Sequence, residues 1–302
     1  MNLYTLKTKV RHIPWIDNLV SGFSHTDAFT YFYKLLHTIR LDEYSHDPAM
    51  KLAAEKSQTY FANNQGKINQ IMDRLADKKS KDCFQAQIRC RQNVRLCPTG
   101  SVTNQYFPKD IIHLSNQEVF VDCGAFTGDS ILKFKNACPS QYKKIVAFEA
   151  NPVTFKKLQA NHFDKCTCLN CGVWDKKDTL SFLADQLGND KMQSSSMDRL
   201  VLNQQQATHY QVPVERMDDI ALCADMTFLK MDIEGAELNA LRGAEQTIRK
   251  NCPTLAICVY HSDEDLLEIP LWIMSLGLNY TYYMRHHNWG PFEVVFYAVP
   301  NN

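Results

Sequence analysis

Apolar residues recur along this chain with two different periods, and the change from one to the other falls near residue 115. Upstream the spacing is helical. Between Asp27 and Arg40, the side chains Phe29, Phe32, Tyr33, Leu36 and Ile39 return every third or fourth position and line one face of a helix. A second helical stretch is predicted from Pro48 to Leu75, interrupted around Asn63 to Gly66, with Ile68, Ile71, Met72 and Leu75 as its apolar stripe. Pro48 directly after Asp47 is a start signal for it. A short helix over Asp82 to Arg91 follows. The expectation is a helical N-terminal domain or cap over residues 1–104, its stripes buried helix against helix.

Downstream, strand and helix signals alternate. EVFVDCG reads as a strand, DSILKFKNA as a helix, KKIVAFEA as a second strand and PVTFKKLQANH as a helix with Pro152 in its first turn. KCTCLNCGV is a third strand. TLSFLAD and VPVERMDD are extended pieces around the loop SSSMDR. TFLKMDIEG is a fourth main strand, and EGAELNALRGAEQTIRK a helix with Leu238, Leu241, Ala244 and Ile248 on one face. TLAICVYH is a fifth strand. It precedes the helix DEDLLEIPLWIMSLG, in which Pro270 predicts a kink or a break. Such alternation calls for an α/β fold, a parallel sheet with helices on both faces. The last two strands, NYTYYMRHH and FEVVFYAVP, are joined by NWGP, too short for a crossover helix, so they must run antiparallel.

Composition narrows the class. Over 302 residues, 33 basic side chains balance 33 acidic ones, which removes the electrostatic warrant for nucleic-acid binding. No stretch approaches the roughly 20 apolar residues of a membrane span, and the first twenty residues lack the apolar run of a secretion signal. A cytoplasmic protein is expected, with its 11 cysteines as reduced thiols. Cys166, Cys168 and Cys171 lack zinc-site spacing; alternation with Thr167 places the first two on one face of a strand, as core thiols.

Ligands of parallel sheets sit at the carboxyl ends of the strands. Here the first strand ends in Asp122-Cys123-Gly124-Ala125-Phe126-Thr127-Gly128, the second in Glu149-Ala150-Asn151, the fourth in Asp232-Ile233-Glu234-Gly235 and the fifth in His261. Gly124 and Gly128 permit a tight turn and close backbone approach, and the following helix aims N–H groups at the same place. Asp122 stands where a dinucleotide site has an apolar residue. It would repel a pyrophosphate and attract an ammonium or sulfonium group. Glu149, about 25 residues after Gly124, can accept both hydroxyls of an adenosine ribose. A nucleoside with a cationic tail and no phosphate describes S-adenosylmethionine.

With these motifs in order, the chain resembles the FkbM family of S-adenosylmethionine-dependent methyltransferases. The stretches VFVDCGAFTGDSILKF, VAFEANPVTFKKLQAN, FLKMDIEGAELNALRGAE and LAICVYHSDEDLLEIPLWI carry the resemblance, with YYMRHH near the end. It covers about residues 105 to 298. It implies a seven-stranded, Rossmann-like methyltransferase sheet over residues 105–302 ending in an antiparallel hairpin, and O-methyl transfer to sugars or small natural products. One departure is Ala150, where the family usually has Pro. By the same resemblance, Asp122, Gly124, Ala125 and Gly128 line the methionine and ribose side, with Phe126, Thr127, Asp129 and Ser130 in the same turn. Glu149 takes the ribose hydroxyls, Asn151 lies beside the adenine with Ala150 in the same cofactor site, and Gln105 and Tyr106 close over the methionyl end.

Asp232 is then expected to face the transferred methyl group. An alcohol needs a general base; His261 is the first candidate, with Asp232 and Glu234 as alternatives or as groups that position it. Lys230 shares the face of Asp232 on its strand. The expectation is a site without a metal, although Asp232, Glu234 and His261 also offer donor atoms for a divalent ion. His286 and His287 fit the substrate mouth and a solvated turn equally well. A small-molecule or glycan acceptor is implied, its pocket drawn from residues 1–104, 182–210 and 284–292, and the helical cap is open to covering the site or forming a homodimer face. Two other readings use the same sheet: a nicotinamide-dependent oxidoreductase, against which Asp122 and the missing third glycine weigh, and a non-catalytic nucleoside-binding scaffold.

Overall fold

Residues 48–301, other than 97, 99, 101–103, 139–140, 186–206 and 289, are described by a computed structural model; the helix expected over 27–40 and the SSSMDR loop lie outside them. Three helices come first: α1 (Pro48–Asn63), α2 (Gln65–Arg74) and α3 (Lys78–Gln92). The break between the first two falls where the sequence placed it. The third starts earlier than expected because Asp77 caps it, its carboxylate accepting the Ser80 N–H at 2.7 Å.

The remaining elements follow as β1 (Val119–Cys123), α4 (Asp129–Ala137), β2 (Lys144–Phe148), α5 (Pro152–Ala160), β3 (Cys166–Leu169), β4 (Gly172–Trp174), β5 (Asp178–Asp185), β6 (Ala207–Arg216), β7 (Phe228–Met231), α6 (Glu237–Arg242), α7 (Glu245–Asn251), β8 (Thr254–Cys258), α8 (Asp263–Ser275), β9 (Tyr280–His286) and β10 (Val294–Pro300). Seven strands form one sheet in the order β3-β2-β1-β7-β8-β10-β9. The first five run parallel, and β10 is antiparallel to both neighbours. This is the expected α/β sheet with its terminal hairpin. Strand order reverses between β1 and β7, which opens the ligand crevice of such sheets there. A second, three-stranded sheet, β4-β6-β5, stands apart.

Three local expectations are corrected. KCTCLNCGV is two strands: Asn170 turns away to donate to the Glu149 carbonyl at 2.8 Å, and Gly172–Trp174 joins the smaller sheet. The helix expected over 234–250 is broken at Gly243, whose carbonyl accepts the Asp218 N–H at 2.9 Å and where a Cβ would meet the Trp174 carbonyl oxygen at 1.9 Å. The helix through Pro270 continues from Asp263 to Ser275. Burial of Leu266, Leu267, Ile269, Ile273 and Met274 along its length offsets the one backbone bond that proline cannot make.

The core is continuous from the sheet into the N-terminal helices, where Phe61, Ile68, Ile71, Leu75 and Phe84 join it. These helices cover the β9 edge of the sheet, which would otherwise offer unpaired backbone groups. Leu75 forms a bridge with Tyr282, and the Ala76 N–H donates to the Tyr282 carbonyl at 2.9 Å. Arg285 on β9 ties the edge down through Asp77 at 2.6 Å and Asp110 at 3.0 Å. Cys166 and Cys168 are half-buried on the edge strand β3, their sulfurs 3.7 Å apart. Cys90 is disulfide-bonded, against the expectation of reduced thiols throughout. No described helix is long and apolar enough to cross a membrane.

Candidate active site

The carboxyl ends of β1, β2, β7 and β8 meet along one edge. β1 is buried along its whole length, so its polar residue, Asp122, has to find partners inside the protein. It does so in Lys230 of the neighbouring β7, whose Nζ lies 3.0 Å from Oδ1, and in the Ser130 hydroxyl, which donates to Oδ2. The same ammonium donates to the carbonyls of Cys123 at 3.2 Å and Gly124 at 2.8 Å. Burial alone would push Lys230 down, but Asp122 and Asp232 outweigh it and keep the ammonium charged. The cation that Asp122 meets is therefore Lys230, and its carboxylate does not open onto the crevice.

Gly124 is required where it stands. It has φ +79°, and a Cβ there would lie 2.0 Å from the Asp232 carbonyl oxygen, so only glycine lets the ends of β1 and β7 come this close. Gly128, at φ +95°, would meet Phe163 in the same way and caps α4. Ala125 is buried and donates its N–H to the Phe148 carbonyl at 2.9 Å. The Thr127 carbonyl accepts from Asn161 at 2.8 Å, and Asp129 lies 3.5 Å from Lys133.

Glu149, at the end of β2, is 8% exposed. Its Oε2 accepts the Phe126 N–H and its Oε1 the Asn151 N–H, both at 2.8 Å. Burial raises its pKa to about 7, although both backbone donors pull it down. Each oxygen keeps a second acceptor position. The Asn151 side chain is a helix cap, accepting from Val153 at 2.8 Å and Thr154 at 3.3 Å. Ala150 beside it is half-buried.

Asp232 is the hub of the opposite side. The Tyr106 hydroxyl donates to its Oδ2 at 2.8 Å, and the Tyr260 hydroxyl to its Oδ1 at 3.0 Å. Burial, then the charge of Asp232, raises both phenols well above their ordinary values, so they stay protonated and donate. Gln105 next to Tyr106 donates to Glu293 and accepts from Lys133 at 2.8 Å. His261 lies behind Asp232, with Nε2 at 3.2 Å from both Asp232 Oδ1 and Glu237 Oε1, and Nδ1 at 3.3 Å from Glu234 Oε2. Burial would lower its pKa, but the surrounding carboxylates, Glu237 foremost, raise it well above the ordinary value. Backbone strain gathers at the same edge: Tyr106, Phe126, Glu234 and Glu293 hold positive φ of 68°, 50°, 66° and 55°.

The structure thus brings Asp232, Glu234 and His261 together and adds Glu237, Tyr260 and Glu293, which sequence reasoning missed. Glu237 carried a signal, since it follows Glu234 by one turn in the same acidic motif. Tyr260 adjoins His261, but nothing local told which way its hydroxyl points. His287 is not at a mouth: it is buried, with Nε2 2.8 Å from the Tyr297 hydroxyl. His286 is largely buried, and that burial lowers its pKa to about 4.

The model of the methyltransferase FkbM domain family matches residues 122–283. A curated protein, Methyltransferase 1 of Beauveria bassiana (strain ARSEF 2860), is 24% identical over 210 residues, which is 63% of this chain and 83% of that protein. The crystal structure of methyltransferase FkbM from Methylobacillus flagellatus KT shares the fold, with a TM-score of 0.64 and 24% identity over 80% of this chain. The chain covers 60% of that protein's length.

Proposed function

We propose that this chain, which belongs to the FkbM methyltransferase domain family, transfers the methyl group of S-adenosylmethionine to a hydroxyl of a small-molecule or glycan acceptor. Glu149 carries this reading. It is a buried carboxylate at the end of the second strand, fixed by the backbone of the glycine turn on one side and of α5 on the other. Its remaining acceptor positions suit the two hydroxyls of a ribose. The turn from Gly124 to Gly128 would then hold the nucleoside, and Gln105 and Tyr106 would hold the methionyl end.

Asp122 takes a different part from the one its position suggests. Paired with Lys230 and Ser130, it braces the turn from behind. The negative group that would face the sulfonium is Asp232, whose side chain is 20% exposed. The acceptor oxygen attacks the methyl carbon opposite sulfur, the carbon–sulfur bond breaks, and sulfur keeps the electron pair. The hydroxyl proton passes to Glu234, 19% exposed at the same edge. His261, which the carboxylates keep protonated, has no free nitrogen for the proton and serves to organise them. Alignment of the acceptor with the methyl group supplies most of the rate.

Calorimetric titration with S-adenosylmethionine and with a nicotinamide dinucleotide tests the cofactor. Transfer of a labelled methyl group to a panel of sugars and hydroxylated natural products tests the reaction. Tight dinucleotide binding without any response to S-adenosylmethionine would overturn the assignment.

A further inference from the structure

We propose that Asp232, Glu237 and His261 form a mononuclear site for a divalent transition-metal ion of the Mn2+ or Zn2+ type. One nitrogen and two carboxylate oxygens from these residues lie within 4.8 Å of one another. His261 meets its carboxylates at ion-pair distances of 3.2 and 3.3 Å. Its side chain is 5% exposed, and both ring nitrogens are buried without a hydrogen-bond partner. The two oxygens beside Nε2 sit at an equal 3.2 Å. Two donors about 2.0–2.2 Å from one metal ion, at angles between a right angle and the tetrahedral one, are about 2.8–3.6 Å apart. The observed spacing falls within that range.

Each ligand is also held from behind, as metal ligands are. Asp232 accepts from the Tyr106 and Tyr260 hydroxyls at 2.8 and 3.0 Å. Glu237 accepts the N–H groups of Ile233 at 2.7 Å and Gly235 at 2.9 Å, which fixes the left-handed turn between Asp232 and α6. Glu234 stands 3.3 Å from His261 Nδ1, and an ion at Nε2 takes the place of the ring proton that the carboxylates hold there in its absence. One imidazole with two carboxylates suits Mn2+ or Zn2+ better than a hard ion such as Mg2+ or a thiolate-seeking one. Three protein ligands leave a position for a further oxygen. Resting on the methyl-transfer reading, that oxygen is the acceptor's hydroxyl, whose proton the ion makes easier to remove.

The test is direct binding to the full chain after chelation, read without turnover. Titration of Mn2+ followed by electron paramagnetic resonance, and of Zn2+ by calorimetry, is expected to give one ion per chain. Echo-modulation spectroscopy of the Mn2+ form is expected to show one imidazole nitrogen. His261→Gln should remove that nitrogen signal and weaken binding by about a hundredfold, as loss of a ligand does. Asp232→Asn serves if His261→Gln does not fold. S-adenosylmethionine titrated into the metal-stripped protein separates the two readings, since cofactor binding through Glu149 needs no ion. Failure of the folded, stripped protein to take up either ion at millimolar concentration overturns the site, as does equal uptake by the folded variant.

Discussion

Replacement of Glu149 by Gln separates what the buried charge costs from what it does. The carboxylate takes one backbone N–H on each oxygen, from Phe126 and Asn151 at 2.8 Å. An amide has one oxygen, so one of those N–H groups loses its acceptor, at a cost of about 1–3 kcal/mol. Against this, the native acid is raised from 4.5 to about 7, chiefly by burial. Its favourable contribution is complete below the unfolded-state value and is lost as pH rises through about 7. A difference of that size corresponds to about 3 kcal/mol. The glutamine variant has no such dependence. It should therefore be less stable than the parent near pH 5 and recover to near equality by pH 8. Urea titrations of both proteins at half-unit pH steps measure this. The affinity for S-adenosylmethionine should move the other way. The variant loses a charge-assisted acceptor worth about 1.5–3 kcal/mol, and the gap to the parent should be widest above pH 7, where Glu149 is ionised. Stability curves that stay parallel from pH 5 to 8 would refute the burial argument, and equal affinities at pH 8 would refute the ribose assignment.

Lys230→Met should cost about 3–5 kcal/mol, because it strands Asp122 in a fully buried site; thermal melts that recover when Asp122→Asn is added would confirm that the pair acts as one unit. Gly124→Ala forces a Cβ to 2.0 Å from the Asp232 carbonyl and should abolish cofactor binding in calorimetry even where circular dichroism shows a folded protein. Tyr106→Phe removes a donor to Asp232 at 2.8 Å and should lower kcat several-fold with little change in the melting temperature; an unchanged kcat would place Tyr106 outside the reaction. At the other end of the sheet, hydrogen bonds from Arg285 and Ser80 outweigh burial and hold Asp77 at about 2. That contribution is present above about pH 4 and lost as pH falls through about 2. Asp77 is over a third exposed, so screening reduces it to about 1 kcal/mol. The stability gap between the parent and Arg285→Ala should narrow by about half of that from pH 5 to pH 3.

The alternation of strands and helices, the closing hairpin and the glycine turn were legible because their causes are local. Apolar period, turn chemistry and loop length act over a few residues, and TFLKMDIEG reads the same in isolation as in the sheet. Local reading failed where a distant contact overrode it. Gly243 breaks a helix because Asp218 donates to its carbonyl and the Trp174 carbonyl leaves no room for a side chain there. Pro270 does not break one because buried neighbours hold the helix on both sides of it.

The candidate site divides in the same way. The sequence by itself placed Asp122, Glu149, Asp232, Glu234 and His261 at strand ends, since each follows directly on a run that can only be a buried strand. Only the tertiary structure decided who partners whom. Register sets Asp122 beside Lys230 on β7, which turns an apparent ligand contact into an internal ion pair. Packing brings Tyr106 and Tyr260 onto Asp232 and Glu237 onto His261. These pairings join residues far apart in the chain, and their energies depend on how much water is excluded around them. Neither separation in space nor burial is written in any short stretch of residues.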